Sequence, residues 1–224
     1  MRQARRRTAI LISGRGSNMA SLIAAARHHE FPAEIALVLS NRPDAAGLNY
    51  AKEHNIATAA VDHKIYAGRE AFEAVLQTML ETHRIDLICL AGFMRLLTPS
   101  FTQRWQGRML NIHPALLPSY KGLHTHERAL TDGVKIHGCT VHFVVPEMDS
   151  GPIIAQAAVP VLDGDTADTL GARVLAQEHV IYPRALEMVA SGRVRIEGQR
   201  VIGACPRVEH SPLVVPGLDE EEDG

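Results

Sequence analysis

Short apolar segments alternate with helical segments through the first half of the chain, and this alternation most constrains the fold. The segments with strand character are Thr8–Ile12, Glu34–Leu39, Ala57–Val61, Asp86–Leu90 and Arg108–Ile112. Helical patterns lie between them at Asn18–His29, Asp44–His54 and Arg69–His83. Strands separated by helices of about ten to fifteen residues predict βαβ units. We therefore predict an α/β fold with a Rossmann-like, mostly parallel twisted sheet flanked by helices.

The second half of the chain has a different pattern. Ile136–Val145 and Pro152–Val161 are long strand patterns joined by a short turn, which predicts an antiparallel pair at one side of the sheet. A long helical pattern follows from Thr166 to Ser191, with Thr166 or Asp165 as its N-cap. Pro183 lies inside this pattern and is expected to kink or split the helix.

The chain of 224 residues suits one domain of ordinary size with a full apolar core. We expect that domain to occupy residues 1–203. Residues 204–224 are Pro-rich and then acidic, ending in the run Asp219–Asp223, and are expected to form a flexible tail.

Composition and charge argue against several classes of partner. The net charge is −2, and no basic stripe follows a predicted helix, so a nucleic-acid surface is not expected. No segment approaches the roughly 20 apolar residues that span a bilayer, and the apolar run behind the N-terminal arginines is too short for a signal peptide. The three cysteines are widely spaced and odd in number, which argues against a disulfide framework. We expect a soluble, cytoplasmic protein with no membrane partner.

Asn111 and His113 end the fifth predicted strand, and Asp149 lies in a later turn. An isolated Asn-x-His most often ends a strand and forms a turn, and Asp149 before Ser150-Gly151 has the same simple interpretation. An amide, an imidazole and a carboxylate are nevertheless the groups that stabilise an oxyanion and move a proton near neutral pH. A carboxylate close to His113 would favour the charged imidazolium.

A glycine-containing loop, Ser13–Asn18, follows the first strand and opens the first helix. Backbone N–H groups at such a position bind anions, although tight-turn glycines alone would give the same pattern. A dinucleotide fingerprint is less favoured because Met19 replaces the third glycine and no acidic residue follows the second strand. A phosphomonoester is the better prediction.

Several motifs carry a resemblance to a known family. They are Asn111-Ile112-His113-Pro114-Ala115-Leu116-Leu117-Pro118 with Asp149, Ser13-Gly14-Arg15-Gly16-Ser17-Asn18, Ser40-Asn41-Arg42, Ala91-Gly92-Phe93-Met94-Arg95, Gly122-Leu123-His124-Thr125-His126 and Gln177-Glu178-His179 with Tyr182-Pro183. In this order they resemble the folate-dependent formyltransferases, and among them the branch that formylates glycinamide ribonucleotide in purine synthesis. The resemblance covers about Ala9 to Arg193.

The resemblance implies a fold, a reaction and a set of site residues. It implies direct formyl transfer from 10-formyltetrahydrofolate to the amine of glycinamide ribonucleotide, without metal or covalent enzyme intermediate, by a monomer or homodimer. Catalysis is assigned to Asn111, His113 and Asp149. Ribonucleotide binding is assigned to Gly16, Ser17, Asn18 and Glu178. Folate binding is assigned to Arg69, Met94, Arg95, Leu96, Leu97, Asn111, Val145, Pro146, Glu147, Met148 and Asp149.

Some alternatives stay open in the sequence. Relatives often carry Lys or Gln near the phosphate where this chain has Leu175, and Arg15 or Lys121 are the candidate substitutes. His124 and His126 form a His-x-His that could bind metal, although no third ligand follows at a recognisable spacing. His142 lies on a strand and could face solvent or the cleft, and Arg69 could instead pair with Glu73. Sister formyltransferases or formyltetrahydrofolate hydrolase, and a non-catalytic nucleotide-binding domain, are the alternative functions.

Overall fold

The computed structural model describes residues 4–203 and residue 215. Nine strands are defined in this part of the chain. They are β1 Arg6–Ile12, β2 Ala33–Ser40, β3 Thr58–Ala60, β4 Leu87–Leu90, β5 Met109–His113, β6 Ile136–Phe143, β7 Ile153–Pro160, β8 Val194–Glu197 and β9 Arg200–Gly203. The α-helices are α1 Ser17–Ala26, α2 Gly47–Glu53, α3 Arg69–Thr82, α4 Pro99–Arg104, α5 Thr125–Thr131 and α6 Ala167–Ala190.

Seven strands form one sheet in the order β3-β2-β1-β4-β5-β6-β7, and β8 and β9 form a separate hairpin. The pairs from β3 to β5 are parallel, while β5–β6 and β6–β7 are antiparallel. The predicted fold class and the predicted antiparallel pair are therefore confirmed. The strand order reverses between β1 and β4, and in such sheets ligands bind outside the carboxyl ends of the strands at this point.

The sheet is covered on both faces, because alternate strand residues enter different apolar clusters. Ile10 and Ile12 of β1 pack in a cluster with α1 and α6, whereas Ala9 and Leu11 pack in a second cluster with α3. On β5, Leu110 and Ile112 belong to the first cluster and Met109 to the second. Since side chains alternate along a strand, Asn111 and His113 lie on the α3 face of the sheet.

The structure tests two expectations about the last helix, its continuity at Pro183 and its N-cap. Of the kink or split expected at Pro183, the split is wrong, because α6 runs without interruption from Ala167 to Ala190. The α1–α6 and α6–sheet contacts hold this helix along its length despite the missing proline N–H. The N-cap is Thr166, whose hydroxyl accepts from the backbone N–H of Thr169.

Four features were not anticipated from sequence: the short helices α4 and α5, the 3₁₀ helix His63–Ile65, and the β8–β9 hairpin. Of the expected tail, only residue 215 lies inside the described part of the chain. Within the described residues, no helix is both long and apolar enough to cross a bilayer.

Candidate active site

The end of β5 places Asn111 and His113 beside β6. Antiparallel pairing sets Asn111 opposite His142 and His113 opposite Thr140. The Thr140 hydroxyl donates to the backbone O of Ala115 at 2.7 Å and accepts from the N–H of Leu117 at 3.0 Å. These bonds fix the turn that follows His113.

His113 is buried, with 5% of its surface exposed, and both ring nitrogens have a defined neighbour. Nε2 lies 2.8 Å from the backbone O of Tyr120, which can only accept, so Nε2 carries the donated proton. Nδ1 lies 3.6 Å from Oδ2 of Asp149, too far for a good hydrogen bond. A neutral His113 therefore directs an Nδ1 lone pair towards the carboxylate, and a second proton there makes the ring a cation.

Asp149 is held in place by a tight turn between β6 and β7. Its backbone is left-handed, with φ of 51°, and its Oδ2 accepts from the N–H of Gly122 at 2.9 Å. A Cβ at Gly151 would lie only 1.7 Å from the backbone O of Phe143, so this turn requires glycine. The close return of the chain brings the carboxylate, with a side chain 10% exposed, against His113.

His142 lies beside these residues, although the sequence left its direction open. It is 2% exposed and lies on the α3 face of the sheet, next to Asn111. Burial lowers the pKa of His142 more than its backbone hydrogen bond and the charge of Asp149 raise it, so the ring is neutral. Its Nδ1–H donates to the backbone O of Phe143 at 2.9 Å, which leaves Nε2 to accept from Nδ2 of Asn111 at 3.2 Å.

The glycine loop has the geometry expected of an anion-binding turn. Gly16 is the N-cap of α1 and has φ of 74°, a conformation that favours glycine. Ser17 is exposed in the first turn, whereas Asn18 is only 8% exposed. The backbone N–H groups of this first helical turn are available to an anion.

Asn18 links this loop to α6. Its Nδ2 donates to Oε2 of Glu178 at 2.6 Å, while its Oδ1 is buried without a hydrogen-bond partner in the described residues. Burial raises the pKa of Glu178, and the bond from Asn18 lowers it. Glu178 lies one turn before Tyr182, whose hydroxyl lies within hydrogen-bond distance of the carbonyls of Leu90, at the end of β4, and of Leu110, near the start of β5. A buried acceptor without a partner is expected where a ligand donates a hydrogen bond.

The segment after β4 carries the residues assigned to folate. Met94 and Leu96 are 70% and 63% exposed, and Met148 across the turn is 55% exposed. Leu97 packs against the cluster beneath α3, Val145 is half-buried, and Pro146 and Glu147 are exposed. The backbone N–H of Met94 donates to the Ser13 hydroxyl at 2.8 Å, so the loops after β1 and β4 are tied together. Exposed apolar side chains around polar groups are typical of a ligand slot.

Arg69 begins α3 and is exposed, with no hydrogen bond or salt bridge to another described residue. The alternative pairing with Glu73 is wrong. Glu73 is 5% exposed and accepts from the N–H of Thr98 at 2.7 Å and from the Thr98 hydroxyl. Arg95 is likewise exposed and has no such partner in the described part of the chain.

Most of the residues considered for metal or phosphate have other partners. His126 Nδ1 lies 3.2 Å from His137 Nε2, and His124 Nδ1 lies 3.4 Å from Glu127 Oε1. Residues 4–203 contain no group of three or more His, Cys, Asp or Glu side chains arranged to hold a metal ion. Lys121 donates to the Ser150 hydroxyl at 2.6 Å, beside Asp149, whereas Arg15 is exposed in the glycine loop.

Comparison with known proteins identifies the family. A family profile described as "Formyl transferase" matches residues 6–186. The chain belongs to this family. It is 44% identical over 199 residues to phosphoribosylglycinamide formyltransferase of Escherichia coli (strain K12), covering 86% of this chain and 94% of that protein.

Two further members of the formyl transferase family extend the comparison. The trifunctional purine biosynthetic protein adenosine-3 of Homo sapiens is 50% identical over 190 residues, which is 85% of this chain but only 19% of that protein. This chain therefore spans about a fifth of that relative's length. The crystal structure of glycinamide ribonucleotide transformylase 1 from Symbiobacterium toebii superposes with a TM-score of 0.86 at 46% identity, covering 89% and 94% of the two chains.

Proposed function

We propose that this chain transfers the formyl group of 10-formyltetrahydrofolate to the amine of glycinamide ribonucleotide, giving formylglycinamide ribonucleotide. The observation that carries the proposal is the position of His113. Its Nε2 is committed to the Tyr120 carbonyl at 2.8 Å, and its Nδ1 faces the Asp149 carboxylate at 3.6 Å beside the Asn111 amide. The names of the relatives support the same reaction.

A proton on His113 Nδ1, the ring nitrogen that faces Asp149, accounts for how the oxyanion would be stabilised. When the amine attacks the formyl carbon, a C–N bond forms and the formyl oxygen becomes an oxyanion. A proton on His113 Nδ1 makes the ring an imidazolium, because Nε2 already carries the proton donated to Tyr120. That Nδ1–H and the free N–H of Asn111 are the two donors for the oxygen.

Asp149 is the group that accepts the proton released by the attacking amine. Its Oδ2 accepts from Gly122, which leaves Oδ1 for the amine, directly or through one water molecule. When the intermediate collapses, the oxyanion returns to a carbonyl, the bond to folate N10 breaks, and a proton passes to N10. Asp149 holds the proton released in the first half of the reaction and is its source in the second.

The two substrates are assigned to different loops, one set beside α1 and α6 and the other on the α3 face of the sheet. The Gly16–Asn18 turn would bind the phosphate, and the buried Asn18–Glu178 pair would meet the ribose hydroxyls. The unpartnered Oδ1 of Asn18 fits a hydroxyl donor. On the α3 face, Met94 and Leu96–Leu97 would line one side of the folate slot and Val145–Met148 the other, with Arg69 available for a carboxylate.

The test is formyl transfer measured with and without glycinamide ribonucleotide. We expect product only with the ribonucleotide, and a loss of about 10²-fold or more in kcat for His113→Ala and for Asp149→Asn with both KM values little changed. Formate release without acceptor would instead indicate a hydrolase. Tight folate binding with turnover independent of His113 would contradict the mechanism.

A further inference from the structure

A short segment, Tyr120–Gly122, contacts both His113 and Asp149, and we call this segment the strap. The backbone O of Tyr120 accepts from Nε2 of His113 at 2.8 Å. Two residues later, the backbone N–H of Gly122 donates to Oδ2 of Asp149 at 2.9 Å. The relative position of the imidazole and the carboxylate therefore depends on where the strap lies.

The strap lies between β5 and α5, outside regular secondary structure. Tyr120 and Gly122 both have a left-handed backbone, with φ of 54° and 82°. This conformation is disfavoured for a residue that carries a Cβ, as Tyr120 does. Contacts with neighbouring elements must therefore hold Tyr120 in it.

Arg128 of α5 contacts the strap twice. Its Nη1 donates to the backbone O of Lys121 at 2.7 Å. Its guanidinium carbon lies 5.4 Å from the centroid of the Tyr120 ring, within the range of a cation–π contact. The same ring packs edge-on against His137 of β6, with the two centroids 5.7 Å apart. Arg128 therefore contacts the two strap residues that precede Gly122.

Helix α5 gives Arg128 a fixed base. The Thr125 hydroxyl donates to the backbone O of Pro114, the residue directly after His113, at 2.8 Å. Ala129 is fully buried in the first apolar cluster. The guanidinium of Arg128 is exposed and forms no salt bridge within residues 4–203, so its side-chain hydrogen bond in this range is the one to the strap.

We propose that Arg128 is a positioning residue for formyl transfer, which holds the strap so that His113 and Asp149 keep their relative orientation. The inference rests on the proposed function, and Arg128 acts through the backbone of the strap without touching substrate. When the guanidinium is removed, Tyr120 relaxes from its left-handed conformation and its carbonyl moves away from Nε2 of His113. The imidazole then loses the bond that fixes its orientation and tautomer, so fewer molecules present Nδ1 to the formyl oxygen.

The first test is the kinetics of Arg128→Met, which keeps an apolar stem and removes both contacts with the strap. We expect kcat to fall about fivefold with both KM values within twofold, because a hydrogen bond and a cation–π contact are lost away from the substrates. Arg128→Lys keeps a cation beside the Tyr120 ring and a donor for the carbonyl of Lys121, and it should recover most of the rate.

Arg108→Met is the matched control. Arg108 also donates to a backbone carbonyl, that of Arg104 at 2.9 Å, and its guanidinium also lies over an aromatic ring, that of Trp105 at 4.5 Å. It precedes β5, however, at the end of the strand away from His113. Arg108→Met should therefore leave kcat and both KM values within twofold of the wild type.

The tautomer of His113 gives a second readout that does not depend on turnover. In nitrogen NMR spectra, with the signals assigned through His113→Gln, the neutral ring of the wild type should be mainly the Nε2–H tautomer. Arg128→Met should populate both tautomers, whereas Arg108→Met should match the wild type.

Three results would overturn the inference: an unchanged tautomer in Arg128→Met, a raised KM at unchanged kcat, or an equal loss of rate in Arg108→Met. The raised KM would show that Arg128 binds substrate, and the equal loss would show a general effect on stability. Absence of formyl transfer by the wild type, with the tautomer change still present in Arg128→Met, would instead overturn the proposed function.

Discussion

At the scale of single residues, the proposed catalytic group depends on hydrogen bonds that fix the orientation of each ring and amide. His113 is anchored by the Tyr120 carbonyl, and Asp149 by the Gly122 N–H. Asn111 is oriented by His142, since a neutral ring that donates from Nδ1 to Phe143 can only accept at Nε2. We therefore expect His142 to act as a positioning residue through Asn111.

Substitution of His142 tests this role. His142→Leu removes the acceptor for Asn111, so the amide loses its fixed rotamer, and we expect kcat to fall about tenfold with both KM values within twofold. His142→Gln keeps an acceptor oxygen and should retain more of the rate. Steady-state kinetics with both substrates measures the change in kcat separately from the changes in the two KM values. A rise in KM at unchanged kcat for the leucine variant would show that His142 contacts substrate instead.

At the scale of elements, α5 docks on the sheet through two histidines. His126 of α5 lies 3.2 Å from His137 of β6, and His137 is 1% exposed with its Nδ1 buried and unpartnered. Burial, followed by the charge of His126, lowers the pKa of His137 to about 4. One of the two facing nitrogens must accept, so protonation of both rings breaks the bond.

This pair predicts a pH dependence of stability. Because the pKa of His137 is lower in the folded state, its contribution is present above the ordinary histidine pKa of about 6.5 and is lost as pH falls towards 4. We expect the free energy of unfolding to decrease by about 2 kcal/mol from pH 7.5 to pH 5 on account of His137. In urea denaturation, the free energy of unfolding of His137→Gln should depend correspondingly less on pH. His29→Gln, at an exposed position, should leave the dependence unchanged.

At the scale of the whole molecule, the sheet separates the two proposed substrate sites by layer. The loop before α1 and residue Glu178 of α6 serve one face, and the loops beside α3 serve the other. Ser13 joins them, because it precedes the glycine loop and accepts from Met94. The proposed chemistry would take place where the two sets of loops meet, beyond the carboxyl ends of the strands.

This division predicts that the two binding sites can be impaired separately. Gly16→Val places a branched side chain at φ of 74°, where an added Cβ would lie only 3.0 Å from Cε of Met19. Saturating ligand at 100 times Kd stabilises a protein by about 2.7 kcal/mol. In thermal unfolding, we expect glycinamide ribonucleotide no longer to stabilise the Gly16→Val variant. Tetrahydrofolate should still stabilise this variant as it does the wild type. Equal loss of stabilisation by both ligands would indicate that the substitution disturbs all of the loops beyond the carboxyl ends of the strands.

Much of the architecture is readable from the sequence because it depends on local periodicity. The alternation of apolar strands and helices predicts the parallel sheet, and the two long strand patterns predict the antiparallel pair. The motif around Asn111 and His113 identifies the family, which the family comparison confirms. The assigned roles of the individual site residues stay predictions, since no comparison tests them.

Other features required the tertiary structure, because they depend on contacts between distant segments. Strand register alone sets His142 opposite Asn111, and a Cβ-free Gly151 lets the turn return Asp149 to His113. Pro183 is a helix breaker by local rule, yet the packing of α6 on α1 and the sheet keeps that helix continuous. The sequence by itself determined which residue types and elements are present. The tertiary structure decided their neighbours and thus their protonation, because burial and hydrogen-bond partners are properties of the packed chain.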